Sequence, residues 1–326
     1  MNPELFLADL EDKPRALEAL AAFLDEGDPF AGLPPRAGRL VLLGMGSSRY
    51  AAGVAAQRLR AAGVDAVAEY ASAAYGTPSG PGTVAVAVSA TGGSRETLDA
   101  LARHAGSSFV VALTNVPGSP VTEGADLVVP MTAGEERGGV ACRTFQHTLV
   151  LLLALTRRPG LPDLVRRAAE ASADLLDRRG EWLEEAAALL DGPDGVYAIA
   201  PAERLSSAEQ SALMVREGPR RPADACETGD WAHVDVYLTK TRDYRALLFP
   251  GSRYDGQAME WIRERGSTVL TVGGDVPGQA ASVRYRHDDD PDVALLTETL
   301  VAELVAATWW ERSQRQPSRL AAPSGT

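Results

Sequence analysis

Cysteine is nearly absent: Cys142 and Cys226 are the only two in 326 residues. Two distant thiols make no disulfide framework, and both are expected to be reduced. Lysine is as scarce, with Lys13 and Lys240 alone. Positive charge is in deficit, with 32 Lys and Arg against 44 Asp and Glu and a net charge of −12. The acidic residues are spread along the chain and no basic stripe occurs, so nucleic acid is not an expected partner. No uncharged apolar run reaches the length of a membrane span, and no membrane partner is expected. The start, Met1-Asn-Pro-Glu-Leu5, lacks a charged segment followed by an apolar core. No secretory leader is therefore expected, and a cytoplasmic protein fits best.

Cofactor and metal signatures are missing as well. His104, His147 and His287 have no metal-ligand spacing with one another. Asp288-Asp-Asp-Pro291 lacks the register of a calcium loop. Gly44-x-Gly46 has no third glycine three residues on, so the dinucleotide fingerprint is not met. No cofactor and no metal are expected.

What is present is 45% hydrophobic content, ample for a large core, in a chain long enough for two domains. Residues 4–25 read as one amphipathic helix. Short β-rich runs then alternate with helices: strands at 40–43, 66–70, 84–88, 109–113 and 127–129, helices at 50–62, 95–105 and 144–155. Such alternation predicts a parallel sheet covered on both faces. A helical stretch over 160–191 follows. The alternation then restarts, with strands at 196–199, 245–249 and 268–272 and helices at 206–216, 254–265 and 291–311. The halves read as weak copies, which predicts two doubly wound α/β units. The boundaries fall at 1–35 (helix and connector), 36–157, 158–192 (helical linker), 193–311 and 312–326 (tail).

The richest segment is Ser89-Ala-Thr-Gly-Gly-Ser94, which follows the apolar run Val84–Val88 and precedes a helix at Arg95. Its glycines let backbone approach a ligand closely. The helix start offers unpaired N–H groups and the positive dipole end, and three hydroxyls add uncharged donors. The combination suits a phosphate without the lysine of a Walker-type loop. A plain strand–turn–helix junction capped by Ser94 fits the same residues. The second half retains only Ser252 at its corresponding turn.

Together with this loop, Gly44-Met-Gly-Ser-Ser48, Thr114-Asn-Val-Pro-Gly-Ser119, Ala133-Gly-Glu-Glu136 and Gly139-Val-Ala-Cys-Arg-Thr-Phe145 stand in order. With these motifs the chain resembles, over nearly its whole length, the tandem sugar isomerase (SIS) domain family. Within it, the likeness is to the isomerase half of the glutamine:fructose-6-phosphate amidotransferases. The resemblance implies that Gly46, Ser47, Ser48, Ser89, Ala90, Thr91 and Ser94 hold a sugar phosphate. In the family a catalytic Glu ends a helix and a catalytic His follows sixteen residues later. Here Glu217 ends the predicted helix and His233 stands at that distance. Alone, a helix-end acid and a single imidazole also fit a solvated surface.

By the resemblance, Glu217 is the base that moves a proton between C1 and C2 of the open-chain sugar. A dry site that raises its pKa toward neutral would suit that task. His233 assists ring opening in the site of a neighbouring subunit, which implies a homodimer. Three departures bear on the substrate. No glutaminase half is seen, so glutamine is not the expected nitrogen donor. The tail has Ala322 where the family has a Schiff-base lysine, and Arg319 stays protonated and cannot form the imine. Gly93 and Asp230-Trp-Ala-His-Val234 depart from the family pattern. The expectation is an enzyme on a phosphosugar or aminosugar phosphate, of isomerase, deaminase or deglycase type. The alternative is a non-catalytic sugar-phosphate sensor.

Overall fold

A computed structural model describes residues 1–35 and 37–315. Helices α1 (Pro3–Glu11) and α2 (Lys13–Asp25) precede the first sheet. The single helix expected over 4–25 is thus broken at Asp12. Pro14 lies in the first turn of α2 and has no N–H to continue α1, while its ring would clash with the preceding turn.

The first sheet joins β1 (Arg39–Gly44), β2 (Ala66–Tyr70), β3 (Thr83–Val88), β4 (Phe109–Thr114) and β5 (Leu127–Pro130). All neighbours are parallel, in the order β2-β1-β3-β4-β5. Helices α3 (Ser47–Ala61), α4 (Arg95–Ala102) and α5 (Arg143–Ala154) connect and cover it. Strand β3 is buried along its whole length, as expected of an apolar run covered on both faces.

Helices α6 (Leu161–Asp177) and α7 (Arg179–Leu190) lead to the second sheet. It joins β6 (Val196–Ala200), β7 (Ala223–Glu227), β8 (Arg245–Leu248), β9 (Thr268–Val272) and β10 (Ala281–Val283), again all parallel, in the order β7-β6-β8-β9-β10. Its helices are α8 (Leu205–Glu217), α9 (Thr228–Trp231) and α10 (Asp255–Glu264), followed by α11 (Pro291–Thr297) and α12 (Thr299–Arg315). Strands β7 and β10 carry no periodic signal in the residue order. Both are edge strands, and the run Ala-Asp-Ala-Cys-Glu of β7 carries charges where a central strand would be apolar.

The main buried cluster is continuous from Phe6 to Trp310 and includes residues flanking both sheets. Within it, Lys13 and Glu303 form a fully buried ion pair between α2 and α12. Residues 291–315 are long and apolar enough to cross a membrane by composition, but 94% of that stretch's apolar window is buried inside the protein. Cys142 and Cys226 are both free, as expected, and both are buried.

Candidate functional site

In the first sheet the strand order reverses between β1 and β3, which pair directly. A crevice outside the strand ends at such a reversal is where ligands bind in open α/β sheets. Both predicted phosphate turns leave the sheet here. Gly46, Ser47 and Ser48 lie between β1 and the first turn of α3. Ser89, Ala90, Thr91 and Ser94 lie between β3 and α4.

The carbonyls of the second turn are held from behind. Asn115 N–H donates to Ala90 O at 3.1 Å, and Val121 N–H donates to Gly92 O at 2.9 Å. Among the described residues, nothing accepts the N–H groups of Ala90, Thr91, Gly93 or Ser94. Four free donors at the start of α4 are what an anion needs. Gly92 has φ +69°, and a Cβ there would come 1.8 Å from Ser119 Oγ, so only glycine fits. Ser94 turns out to be committed. Its Oγ accepts from Thr97 N–H at 3.4 Å and contacts Glu96 Oε2 at 3.0 Å. It caps α4 as the junction reading allowed.

A cavity of about 770 Å³ opens beside this turn. Ala90 and Thr91 line it from the first half, and Glu217, the last residue of α8, lines it from the second. Gly46, Ser47, Ser48, Ser89 and Ser94 are not among its lining residues. Burial pushes the Glu217 carboxyl above its ordinary pKa. Arg216 pulls it down, and Glu136 across the cavity pushes it up. A carboxyl raised in this way is suited to accept and return a proton.

Asn115, Thr132, Glu135, Glu136 and Thr144 also line this cavity and were not singled out as site residues. Most lie in segments 114–119, 133–136 and 139–145, so the signal was available as motif matches without roles. Glu136 accepts from Cys142, Arg143 and Thr144 N–H at 2.7, 2.6 and 3.1 Å, and from Thr144 Oγ1 at 2.7 Å. It is the carboxylate cap of α5, favoured by the helix dipole. Asn115 holds the rim, with Nδ2 donating to Gly134 O at 2.6 Å and Oδ1 accepting from Ala133 N–H at 2.9 Å.

His233 is exposed, in the short link between α9 and a 3-10 helix at Asp235–Lys240, and does not line the cavity. The structure therefore does not bring it to Glu217 within one chain's cavity. Two residues that bracket it are tied through one hydroxyl. Trp231 Nε1 donates to Tyr244 OH at 2.8 Å, and Tyr244 OH donates to Asp235 Oδ2 at 3.2 Å. Ala322 and Arg319 of the tail lie outside the described residues.

Comparison with known proteins gives this architecture a class. The SIS domain family matches residues 36–158, and the chain is a SIS-domain protein. It is 32% identical over 301 residues to the isomerizing glutamine–fructose-6-phosphate aminotransferase of Aeropyrum pernix, covering 83% of this chain and 47% of that protein. Against the same enzyme of Sulfurisphaera tokodaii the identity is 25% over 321 residues, with 93% and 51% covered. The chain spans about half the length of these curated relatives. Among solved structures, the C-terminal domain of glucosamine-fructose-6-phosphate aminotransferase from Francisella tularensis superposes with a TM-score of 0.80 at 16% identity, covering 94% of this chain and 96% of that one. Tagatose-6-phosphate ketose/aldose isomerase from Escherichia coli gives 0.80 at 14%, covering 95% and 93%. Glucosamine-6-phosphate deaminase from Thermotoga maritima gives 0.69 at 17%, covering 95% of each.

Proposed function

We propose that this chain is a tandem SIS enzyme on a phosphosugar or aminosugar phosphate, moving a proton between C1 and C2. The observation that carries the reading is that Glu217, with its raised pKa, shares one cavity with Thr91 of the free-amide turn. The phosphate sits on the N–H groups of 90, 91, 93 and 94, with the Ser89 and Thr91 hydroxyls as further donors. Ser47 and Ser48 at the adjacent strand end flank the same group. The sugar then extends toward Glu217, which takes the proton from one carbon and delivers it to the other through an enediol or enamine. Neighbouring folds named as an isomerase and a deaminase support that shared chemistry.

Opening the sugar ring calls for an acid–base group, and no histidine lines the cavity among the described residues. In this reading a cytoplasmic homodimer supplies His233 from the partner copy. Mixing Glu217→Gln with His233→Ala subunits would then restore roughly a quarter of the activity, because one site of each mixed dimer keeps both groups. A monomer in sedimentation removes this part of the reading.

The direct test is solvent deuterium incorporation at C1 and C2 of fructose 6-phosphate and glucosamine 6-phosphate, followed by NMR. Glu217→Gln is expected to lower incorporation about a hundredfold or more with binding retained. Incorporation that persists in this variant contradicts the role of Glu217. Tight binding with no incorporation in the parent protein supports the sensor instead.

A further inference from the structure

Among the described residues four non-glycine positions have a left-handed backbone, and Thr132, at φ +55°, is the β-branched one. A positive φ is a genuine outlier for such a residue. Thr132 is also the one of the four that lines the Glu217 cavity. The conformation is imposed from both sides. Before it, Met131 N–H donates to Thr114 O at 2.8 Å, and the Met131 carbonyl accepts from His147 Nδ1 at 2.7 Å. After it, both ends of the Asn115 amide hold the backbone of Ala133 and Gly134. Met131, Ala133 and His147 are buried. Strained residues persist only where their surroundings over-determine them, and they concentrate where a ligand is held.

Most other polar side chains of the cavity are already engaged. Asn115 is spent on the rim, Glu136 on the start of α5, and Thr144 Oγ1 on Glu136. Thr91 belongs to the phosphate turn and Glu217 to the proton transfer. Thr132 and Glu135 remain, and both are exposed. Glu135 is engaged only through its backbone carbonyl, which accepts from Arg143. Its carboxylate hangs on a long, freely rotating stem. The Thr132 hydroxyl is one stiff bond from a clamped backbone, so little freedom is lost when it meets a ligand.

We propose that Thr132 is a specificity-determining residue: the clamped turn offers its hydroxyl to a hydroxyl of the sugar chain, so that the cavity distinguishes a sugar phosphate from phosphate alone. The inference rests on the reading of this cavity as a phosphosugar site. It gives a physical reason for a threonine in a strained position. Glycine would relax the backbone there and offer no hydroxyl.

The test is calorimetric titration of the full chain with inorganic phosphate and with fructose 6-, glucose 6- and glucosamine 6-phosphate. In the parent protein at least one sugar phosphate is expected to bind more tightly than inorganic phosphate. Thr132→Ala and Thr132→Gly should weaken that sugar phosphate about tenfold, the value of one hydrogen bond, and leave inorganic phosphate within about twofold. Thr132→Ser, which keeps the hydroxyl, should stay within about threefold of the parent. Thr132→Gly should melt at or above the parent temperature, because the strain is gone. Unchanged sugar-phosphate affinity in the alanine and glycine variants overturns the proposal. So do an equal loss for both ligands, a serine variant as weak as the alanine one, and a glycine variant that melts well below the parent. A parent that binds no sugar phosphate more tightly than inorganic phosphate overturns this inference and leaves the phosphate turn standing. A parent that binds none of the four ligands removes the reading of the cavity, and this inference with it.

Discussion

Gly138 donates its N–H to Asp9 Oδ2 at 2.7 Å, which ties the first helix of the chain to the loop that lines the Glu217 cavity. Asp9 Oδ1 also accepts from Arg143 Nη2 at 3.0 Å, and Arg143 donates to the Glu135 carbonyl. The approach is close enough that a Cβ on Gly138 would lie 2.5 Å from Phe6 Cα. Asp9 and Arg143 are nearly fully buried. Removing Asp9 leaves the buried Arg143 with Asp12 as its one carboxylate partner and the Gly138 N–H without an acceptor. Asp9→Ala is expected to cost about 3 kcal/mol of stability in urea unfolding. Calorimetry should also show weaker phosphosugar binding, because Glu135 and Glu136 lose their support. Unchanged stability would contradict the buried pairing.

The phosphate turn offers a paired test in adjacent glycines. Gly92→Ala meets both the positive φ and the Ser119 side chain, so a loss of about 2 kcal/mol or more and of phosphosugar binding is expected. At Gly93 a Cβ would meet no atom within 4 Å, and the φ is not positive. Gly93→Ala should stay within about 0.5 kcal/mol of the parent in thermal unfolding. Equal effects at the two positions would refute the steric argument.

Tyr244→Phe keeps the ring, which stacks on Tyr197 with centroids 4.1 Å apart, and removes only the hydroxyl. Trp231 N–H and the Asp235 carboxyl then lose a buried partner. The expected cost is about 1–3 kcal/mol. Hydrogen exchange should quicken across 231–236, the segment that contains His233, more than across β8. Uniform or unchanged exchange speaks against the brace.

Glu209 on α8 is pushed up to about 7 by burial, with Arg49 only partly opposing. The folded chain then keeps this proton up to about pH 7, whereas the unfolded chain releases it near 4.5. Between these values the unfolded state binds fewer protons, so stability from this group falls as pH rises. Glu209→Gln should remove that fall. From pH 5.5 to 7.5 the variant is expected to gain about 2 kcal/mol relative to the parent in urea unfolding. A difference that does not change with pH rules the shift out.

Much of the architecture was legible in residue order. Runs such as Val84–Val88 and Phe109–Leu113 are continuous and apolar because their strands are covered on both faces, and the chain's periodicity records that directly. The glycine turn at 89–94 and the end of α8 at Glu217 were legible for the same local reason. The break at Asp12 was missed because an apolar stripe continues across it. The strands β7 and β10 were missed because an edge position demands little apolar content.

The sequence by itself determined the central strands, the glycine turn at 89–94 and the end of α8, since each depends on neighbours within a few residues. Only the tertiary structure decided which ends meet. It brings Thr91 and Glu217 to one cavity and leaves His233 outside it. Those juxtapositions follow from the order in which strands pair and from a core continuous between the sheets, which no local pattern encodes.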